Sequence, residues 1–385
     1  MKFFKLTFRN AGRHKLRTAL TVLGMAIAVM AFAVIRTAIE AWYSQASASS
    51  PNRLVANNNV SIIFTLPISY QSKIAAVPGV TSVAHAQWFG GVYVDPKNFF
   101  PKFAIEAEPY LAMYPEFSLP PDQKEAFLKE RNAAIVGRKL ADRFGWQVGD
   151  QVRITGDIFP GDWDFVIRGI YTGMKDNTDE GSWLFHYQYI DERMRQESPG
   201  RAGQVGWFMI QIDDPTKAAE ISGTIDALFK NSAAETKTQT EEAFALSFIA
   251  MSGSIIVGMQ IISVMVIAII LLVLANTMAM TARERTSEYA VLKTLGFSAG
   301  KIVALIFGES LFIAILGGAL GIALTFPIVG LMKVAMSAFF SAFPLPPLTF
   351  ILAGSSAILV GILAALFPAS KAMRTSIVDG LRVID

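Results

Sequence analysis

Four long apolar runs govern what this chain can become. A helix that crosses a bilayer spans about 30 Å of hydrocarbon at about 1.5 Å per residue, so it needs about 20 largely uncharged residues. Residues 18–39, 248–280, 302–332 and 348–367 all reach that length. The second run holds no charge, the third is interrupted by Glu309 and Pro327, and the fourth stops at Pro368. The first follows a basic flank, as a secretory leader does, and Ala46, Ser47 and Ala48 have the small size of a cleavage site. Its apolar stretch exceeds the roughly 7–15 residues of a leader core, so it reads as a retained span.

Composition agrees with membrane insertion. Hydrophobic residues make up 52% of the chain and charged residues 17%, too apolar for an ordinary soluble domain. Cysteine is absent, which removes disulfides and thiolate metal sites. The small net charge conceals a sorted one. Residues 1–17 carry six bases and no acid, whereas residues 41–247 hold 19 Lys and Arg against 25 Asp and Glu. Nucleic acid is therefore not an expected partner. Bases also cluster at Arg283, Arg285, Lys293 and Lys301, and at Lys371, Arg374 and Arg382. The positive-inside rule assigns all three basic regions, and so both termini, to the cytoplasm.

The chain thus reads as an α-helical membrane protein with four transmembrane helices and an α/β extracytoplasmic domain inserted between helices one and two. The expected segments are a basic cytoplasmic stretch (1–17), helix one (18–40), the outer domain (41–247) and helix two with a stalk (248–281). A cytoplasmic coupling helix and loop (282–300), helix three (301–332), a short outer connection (333–347), helix four (348–368) and a cytoplasmic tail (369–385) follow. Within the outer domain, residues 53–65, 80–94, 133–137, 151–155, 165–171 and 205–212 have strand character, and residues 70–77, 138–144 and 215–229 have helical spacing. Residues 156–164 suggest a surface turn. The aromatic stretches around Trp88, Phe99 and Trp183 suit the domain core, or else a site for apolar cargo.

The loop between spans two and three carries the most specific signal. Arg283 to Gly296 reads as a short amphipathic helix, with Tyr289, Leu292 and Leu295 apolar, charges opposite, and Gly296 placed to end it. Ser298 is placed to cap span three. A short amphipathic helix between two spans suits a groove on another protein.

Arg285-Thr-Ser-Glu288-Tyr-Ala-Val-Leu292-Lys293-Thr-Leu295-Gly296, followed by Glu309 and by Gly317-Gly318-Ala-Leu-Gly321, resembles the signature of MacB/FtsX-type ABC transporter permeases. Leu6 to Gly24 is similar to the family's lead into span one, and Pro368 to Arg382 resembles its tail, with departures at Ile377 and Gly380. The resemblance implies a MacB-like outer domain and a permease that is not itself an enzyme. It implies a separate cytoplasmic ATPase that binds ATP and Mg, so no cofactor belongs to this chain. It also implies a second permease copy in a homodimer, a periplasmic adaptor as a further partner, and contact with membrane lipid of the inner membrane. Arg285, Glu288, Tyr289, Leu292, Lys293, Leu295 and Gly296 are the expected ATPase contacts. Family members move the outer domain by mechanotransmission, to export a periplasmic or membrane-derived substrate, extract lipoproteins, or regulate a periplasmic cell-wall hydrolase.

Other motifs fail on chemistry. Gly296 to Lys301 has three residues between its glycines and Ile302 after the lysine, so it is not a phosphate-binding loop. It matches Gly-x-Ser-x-Gly, but Ser298 follows a helix and opens a span, where no nucleophile elbow is built. His14, His85 and His186 lack ligand spacing. Glu309, an acid inside a span, either couples helix motion to the ATPase or pairs with Lys301 or a nearby arginine. Gly317, Gly318 and Gly321 allow close helix packing, within the subunit or at a dimer seam.

Overall fold

The computed structural model describes residues 15–44, 49–175, 177–251, 253–336, 343–374 and 376. Most of the basic flank, residues 45–48, residues 337–342 of the outer connection and the end of the tail lie outside it. The chain divides into two compact units, one of Met1–Glu40, Ser252–Lys333 and Phe343–Asp385, the other of Ala41–Met251 and Val334–Ala342.

Helix α1 (Lys15–Ser44) precedes the sheet domain. There follow β1 (Arg53–Asn58), β2 (Leu66–Pro67), α2 (Tyr70–Ala75), β3 (Val80–Trp88), β4 (Lys102–Ile105), α3 (Ala107–Met113), β5 (Phe117–Ser118), α4 (Pro121–Lys129), β6 (Ala133–Gly137) and α5 (Arg138–Phe144). Then come β7 (Gln151–Gly156), β8 (Gly161–Gly173), β9 (Trp183–His186), α6 (Tyr187–Glu197), β10 (Gln204–Val205), β11 (Trp207–Ile212), α7 (Ala218–Leu228), β12 (Thr236–Thr240) and α8 (Glu241–Met251). The remaining helices are α9 (Gly253–Glu284), α10 (Thr286–Thr294), α11 (Ala299–Ala335) and α12 (Pro347–Arg374).

The sheet runs β12-β1-β11-β3-β4-β9-β6-β8-β5, with β7 hydrogen-bonded to β8. Strands β4 and β9 pair in parallel, as do β6 and β8. Successive side chains leave a strand on opposite faces. Leu54, Trp183, Phe185 and Phe208 therefore join one core, and Val55, Leu184, Trp207 and Met209 the other. Ile74 of α2, Leu140 of α5, Ile190 of α6 and Ile221 of α7 cover the first face. Leu111 of α3, Phe127 of α4 and Phe244 of α8 cover the second. With both faces covered, β1 and β6 are buried throughout, which is why residues 133–137 form an unbroken apolar run.

Three expectations shift. Residues 80–94 are not extended throughout, because β3 ends at Trp88 and Gly90 and Gly91 turn the chain at positive φ. Residues 156–164 are not all turn: β8 begins at Gly161, and Trp163 is fully buried with its Nε1 donating to the Phe159 carbonyl. Residues 53–65 are not extended throughout, because β1 ends at Asn58. Residues 248–251, in the expected stalk of helix two, lie in α8 and group with the sheet domain, where Phe244 meets Trp207 at 5.8 Å between ring centroids. Of the aromatic stretches, Phe89, Phe100, Trp183 and Phe185 lie in the core, while Phe99 is 47% exposed.

Helices α1, α9, α11 and α12 are each long and apolar enough to cross a membrane. Their contacts use small residues, as close helix approach in lipid requires. A Cβ on Gly317 would lie 2.5 Å from Met25 Cβ, and one on Gly321 would lie 2.5 Å from the Ala26 carbonyl oxygen, so both glycines seat α11 on α1. Gly318 faces Ala357 of α12 at 2.9 Å by the same construction. The Ser310 hydroxyl donates to the Gly361 carbonyl at 2.6 Å, which ties α11 to α12 inside the bundle. Helix α9 buries Ile256, Ser263, Ile270, Leu274 and Met278 along one stripe, while Ile262, Met265 and Leu272 stay exposed, as lipid contact allows.

Gly321→Val should therefore force α1 from α11 and cost about 1–3 kcal/mol, the range for overpacking. Thermal unfolding of the detergent-solubilised protein should show a lowered midpoint, whereas Gly330→Ala, with nothing within 4 Å of its added Cβ, should leave it unchanged.

Candidate functional site

The polar chemistry of the membrane unit gathers around α10, between the second and third spanning helices. Arg285 stands at its N-terminus. Its Nε donates to Glu288 Oε2 and its Nη1 to Glu309 Oε2, both at 3.0 Å. The ion pair to Glu309 is buried on both sides, with side chains 13% and 8% exposed. The guanidinium carbon also lies 5.7 Å from the centroid of the Tyr289 ring. Burial works against the charge of Arg285, but Tyr289 and the two carboxylates outweigh it and raise its pKa above the ordinary value. Burial pushes the Tyr289 phenol up to about 12, so it stays neutral. Glu309 sits ten residues into α11 from Ala299, about 15 Å along the helix.

A second tie forms at the other end of α10. Lys293 Nζ donates to the carbonyl oxygens of Ala372 and Met373, at 3.1 and 3.3 Å. These lie in the last turn of α12, where carbonyls lack helical partners and a cation also meets the negative end of the helix dipole. The helix then stops in a Schellman motif. The Gly296 amide donates to the Lys293 carbonyl and the Phe297 amide to the Leu292 carbonyl, at 3.1 and 3.0 Å. The turn holds Gly296 at φ +87°, a conformation that favours glycine. Beside this loop, Arg17 of α1 makes two bonds to Glu284 at the end of α9, at 2.7 and 2.9 Å. Short polar contacts thus join all four spanning helices and α10 at one end of the bundle.

The seven residues expected at an ATPase contact separate into two groups. Arg285 and Tyr289 turn inward, with Tyr289 5% exposed, and Leu292 packs partly buried against the bundle core. Glu288 and Lys293 are engaged with Arg285 and α12. Leu295, 70% exposed, and Gly296 face outward. Val291, exposed and one turn before Leu295, completes an outward apolar pair that sequence reading missed. Its only signal was i, i+4 spacing from Leu295. The partner of Glu309 is Arg285, one of the alternatives open in the sequence. The Ser298 carbonyl accepts from the Lys301 and Ile302 amides as α11 begins.

Among the described residues, no group of His, Cys, Asp or Glu could hold a metal ion. His85 hydrogen-bonds Gln71 through Nδ1, and His186 the Phe127 carbonyl through Nε2.

Two family models match. Residues 18–228 match the MacB-like periplasmic core domain, and residues 260–377 the FtsX-like permease C-terminal domain. The chain belongs to the MacB/FtsX family of ABC transporter permeases. An uncharacterized ABC transporter permease of Methanocaldococcus jannaschii is 24% identical over 343 residues, covering 82% of this chain and 81% of the relative. The periplasmic region of MacB from Actinobacillus actinomycetemcomitans overlaps 52% of this permease and 94% of that chain, at 10% identity and a TM-score of 0.38. The extracellular domain of the ABC-type transporter YknZ from Gram-positive bacteria overlaps 49% and 99%, at 13% identity and a TM-score of 0.36. Family membership makes the protein an inner-membrane permease with an extracytoplasmic α/β domain, whose class works with an ATPase.

Removing one partner of a buried ion pair strands the other. Glu309→Ala should lower stability by about 2–3 kcal/mol, somewhat less than the full penalty because Glu288 still serves Arg285. Arg285→Met with Glu309→Leu should recover most of that loss in thermal unfolding, since both buried charges are gone and Glu288, 39% exposed, is left within reach of water.

Proposed function

We propose that this permease converts ATP-driven closure of a separate cytoplasmic ATPase into movement of its extracytoplasmic domain, and thereby exports a periplasmic or membrane-derived substrate. The observation that carries this reading is the two-sided build of α10. Its inner side is tied to α11 through Arg285 and Glu309 and to α12 through Lys293. Its outer side presents Val291 and Leu295. A helix pinned to two spans behaves as a lever, so force applied to Val291 and Leu295 reaches α11 and α12 without loss in a flexible loop. ATP and Mg bind to the ATPase in this scheme, and the present chain performs no catalysis.

The same reading puts α10 and both termini in the cytoplasm, in keeping with the bases that flank the spans. Two copies pair, so that each meets one ATPase, and a periplasmic adaptor receives the substrate. The large outer domain favours export over lipoprotein extraction.

Two measurements test the scheme, one on the purified permease with its ATPase and one in membrane vesicles. Leu295→Asp with Val291→Asp should abolish stimulated ATP hydrolysis and co-purification of the ATPase, while the chain still inserts and unfolds at the normal temperature. Full complex formation by that variant would remove α10 from the contact. Because the chain lacks cysteine, Thr294→Cys and Lys97→Cys each offer one reactive thiol. In sealed inverted vesicles, an impermeant maleimide should modify the first and spare the second.

A further inference from the structure

The sheet domain holds a second buried arginine, at the point where the chain arrives from α1 and leaves for α9. Arg53 opens β1, and its side chain is 4% exposed. Nε donates to Glu241 Oε2 at 2.7 Å, Nη1 to the Met113 carbonyl at 2.9 Å and Nη2 to Glu116 Oε1 at 2.6 Å. Glu241 is the first residue of α8, and it also accepts from the Ser50 amide at 2.9 Å and the Tyr114 hydroxyl at 2.7 Å. The guanidinium carbon lies 4.1 Å from the centroid of the Tyr114 ring. Arg53 therefore ties the outgoing helix α8 to the turn between α3 and β5, and Glu241 in turn holds the incoming segment at Ser50.

Packing of the hydrophobic layers does not explain this cluster. Replacing a buried ion pair by apolar side chains is often neutral or stabilising, so a gain in stability is a weak account of such a pair. A planar fork with three acceptors on two segments, the turn after α3 and the start of α8, defines direction as well as proximity, which a greasy contact does not. Resting on the function proposed above, we infer that Arg53 is a positioning residue. It fixes α8 to the sheet so that displacement arriving along the chain from α9 turns the whole outer domain rather than bending α8 away from it.

The experiment uses the full permease with its ATPase in lipid nanodiscs, nucleotide-free and trapped with ATP and vanadate. Since cysteine is absent, spin labels report on chosen pairs alone. Gln196→Cys on α6 with Ala250→Cys on α8 follows α8 against the domain, and both positions are exposed. Gln196→Cys with Thr294→Cys follows the domain against α10. With Arg53 intact, the first pair should give one narrow distance distribution in both states, and the second should shift on trapping. Arg53→Gln should broaden the first and lose the shift in the second, while ATP hydrolysis and assembly persist. Arg53→Lys, which keeps the charge but reaches fewer acceptors, should restore part of the shift. Tyr114→Phe removes a single hydroxyl at constant shape and should move both readouts the same way if Arg53→Gln does not assemble. A narrow first distribution and full shift in both Arg53→Gln and Tyr114→Phe would overturn the clamp. Absence of any shift in the unsubstituted complex would instead overturn the proposed transmission, and the first pair would still decide on Arg53.

Discussion

Hydrocarbon offers no partner for a charge or an open backbone group, and this constraint organises the whole permease. It forces the spanning segments to be helices, strips them of ionisable residues, and leaves van der Waals packing and a few short hydrogen bonds to join them. Gly317, Gly318 and Gly321 are where they are because Met25, Ala26 and Ala357 occupy the space a side chain would need. Among the described residues, Arg17, Glu284, Arg285, Glu309 and Lys293 collect at one end of the bundle, and Arg36 pairs with Glu40 nearer the other end of α1. A short helix docked there is held by strong, directional contacts, while further along the spans the core is mainly apolar packing.

The two units repeat one device. Arg285 meets Glu288, Glu309 and Tyr289, and Arg53 meets Glu116, Glu241 and Tyr114. In each case a guanidinium that stays charged at any accessible pH joins carboxylates from separate segments and rests near a tyrosine ring. For Arg53, burial opposes the charge, yet hydrogen bonding to Glu116 and the field of Glu241 raise its pKa above the ordinary value. Both arginines stand beside an element that precedes or follows the long helix α9. A chain built to carry force gains from such fixtures, because an apolar contact of equal strength can slide.

Much of this was legible in the sequence. Span order follows from length and absence of charge, and the short helix from its amphipathic spacing and Gly296. The inward turn of Tyr289 was not legible, since an amphipathic pattern identifies two faces without saying which meets the bundle and which meets a partner. Val291 was missed for the same reason. Where the stalk gives way to span two was not legible, because Phe248 and Ile249 are as apolar as the residues after them. Their place with the sheet domain depends on Phe244 meeting Trp207, residues far apart in sequence. Strands β4, β9 and β12 are too short for a periodicity of their own.

Sequence alone determined that four helices cross the membrane, that an α/β domain lies between the first and second, and that the loop after the second matches a permease signature. Those properties are local: transfer of one segment into lipid, alternation along one strand, spacing along one helix. Only the tertiary structure decided that Glu309 belongs to Arg285, that Lys293 closes α12, and that Arg53 ties Glu116 to Glu241, which in turn holds Ser50. A charge finds its partner through space, and the chain between them, from Arg53 to Glu241 above all, carries no trace of the distance once folded.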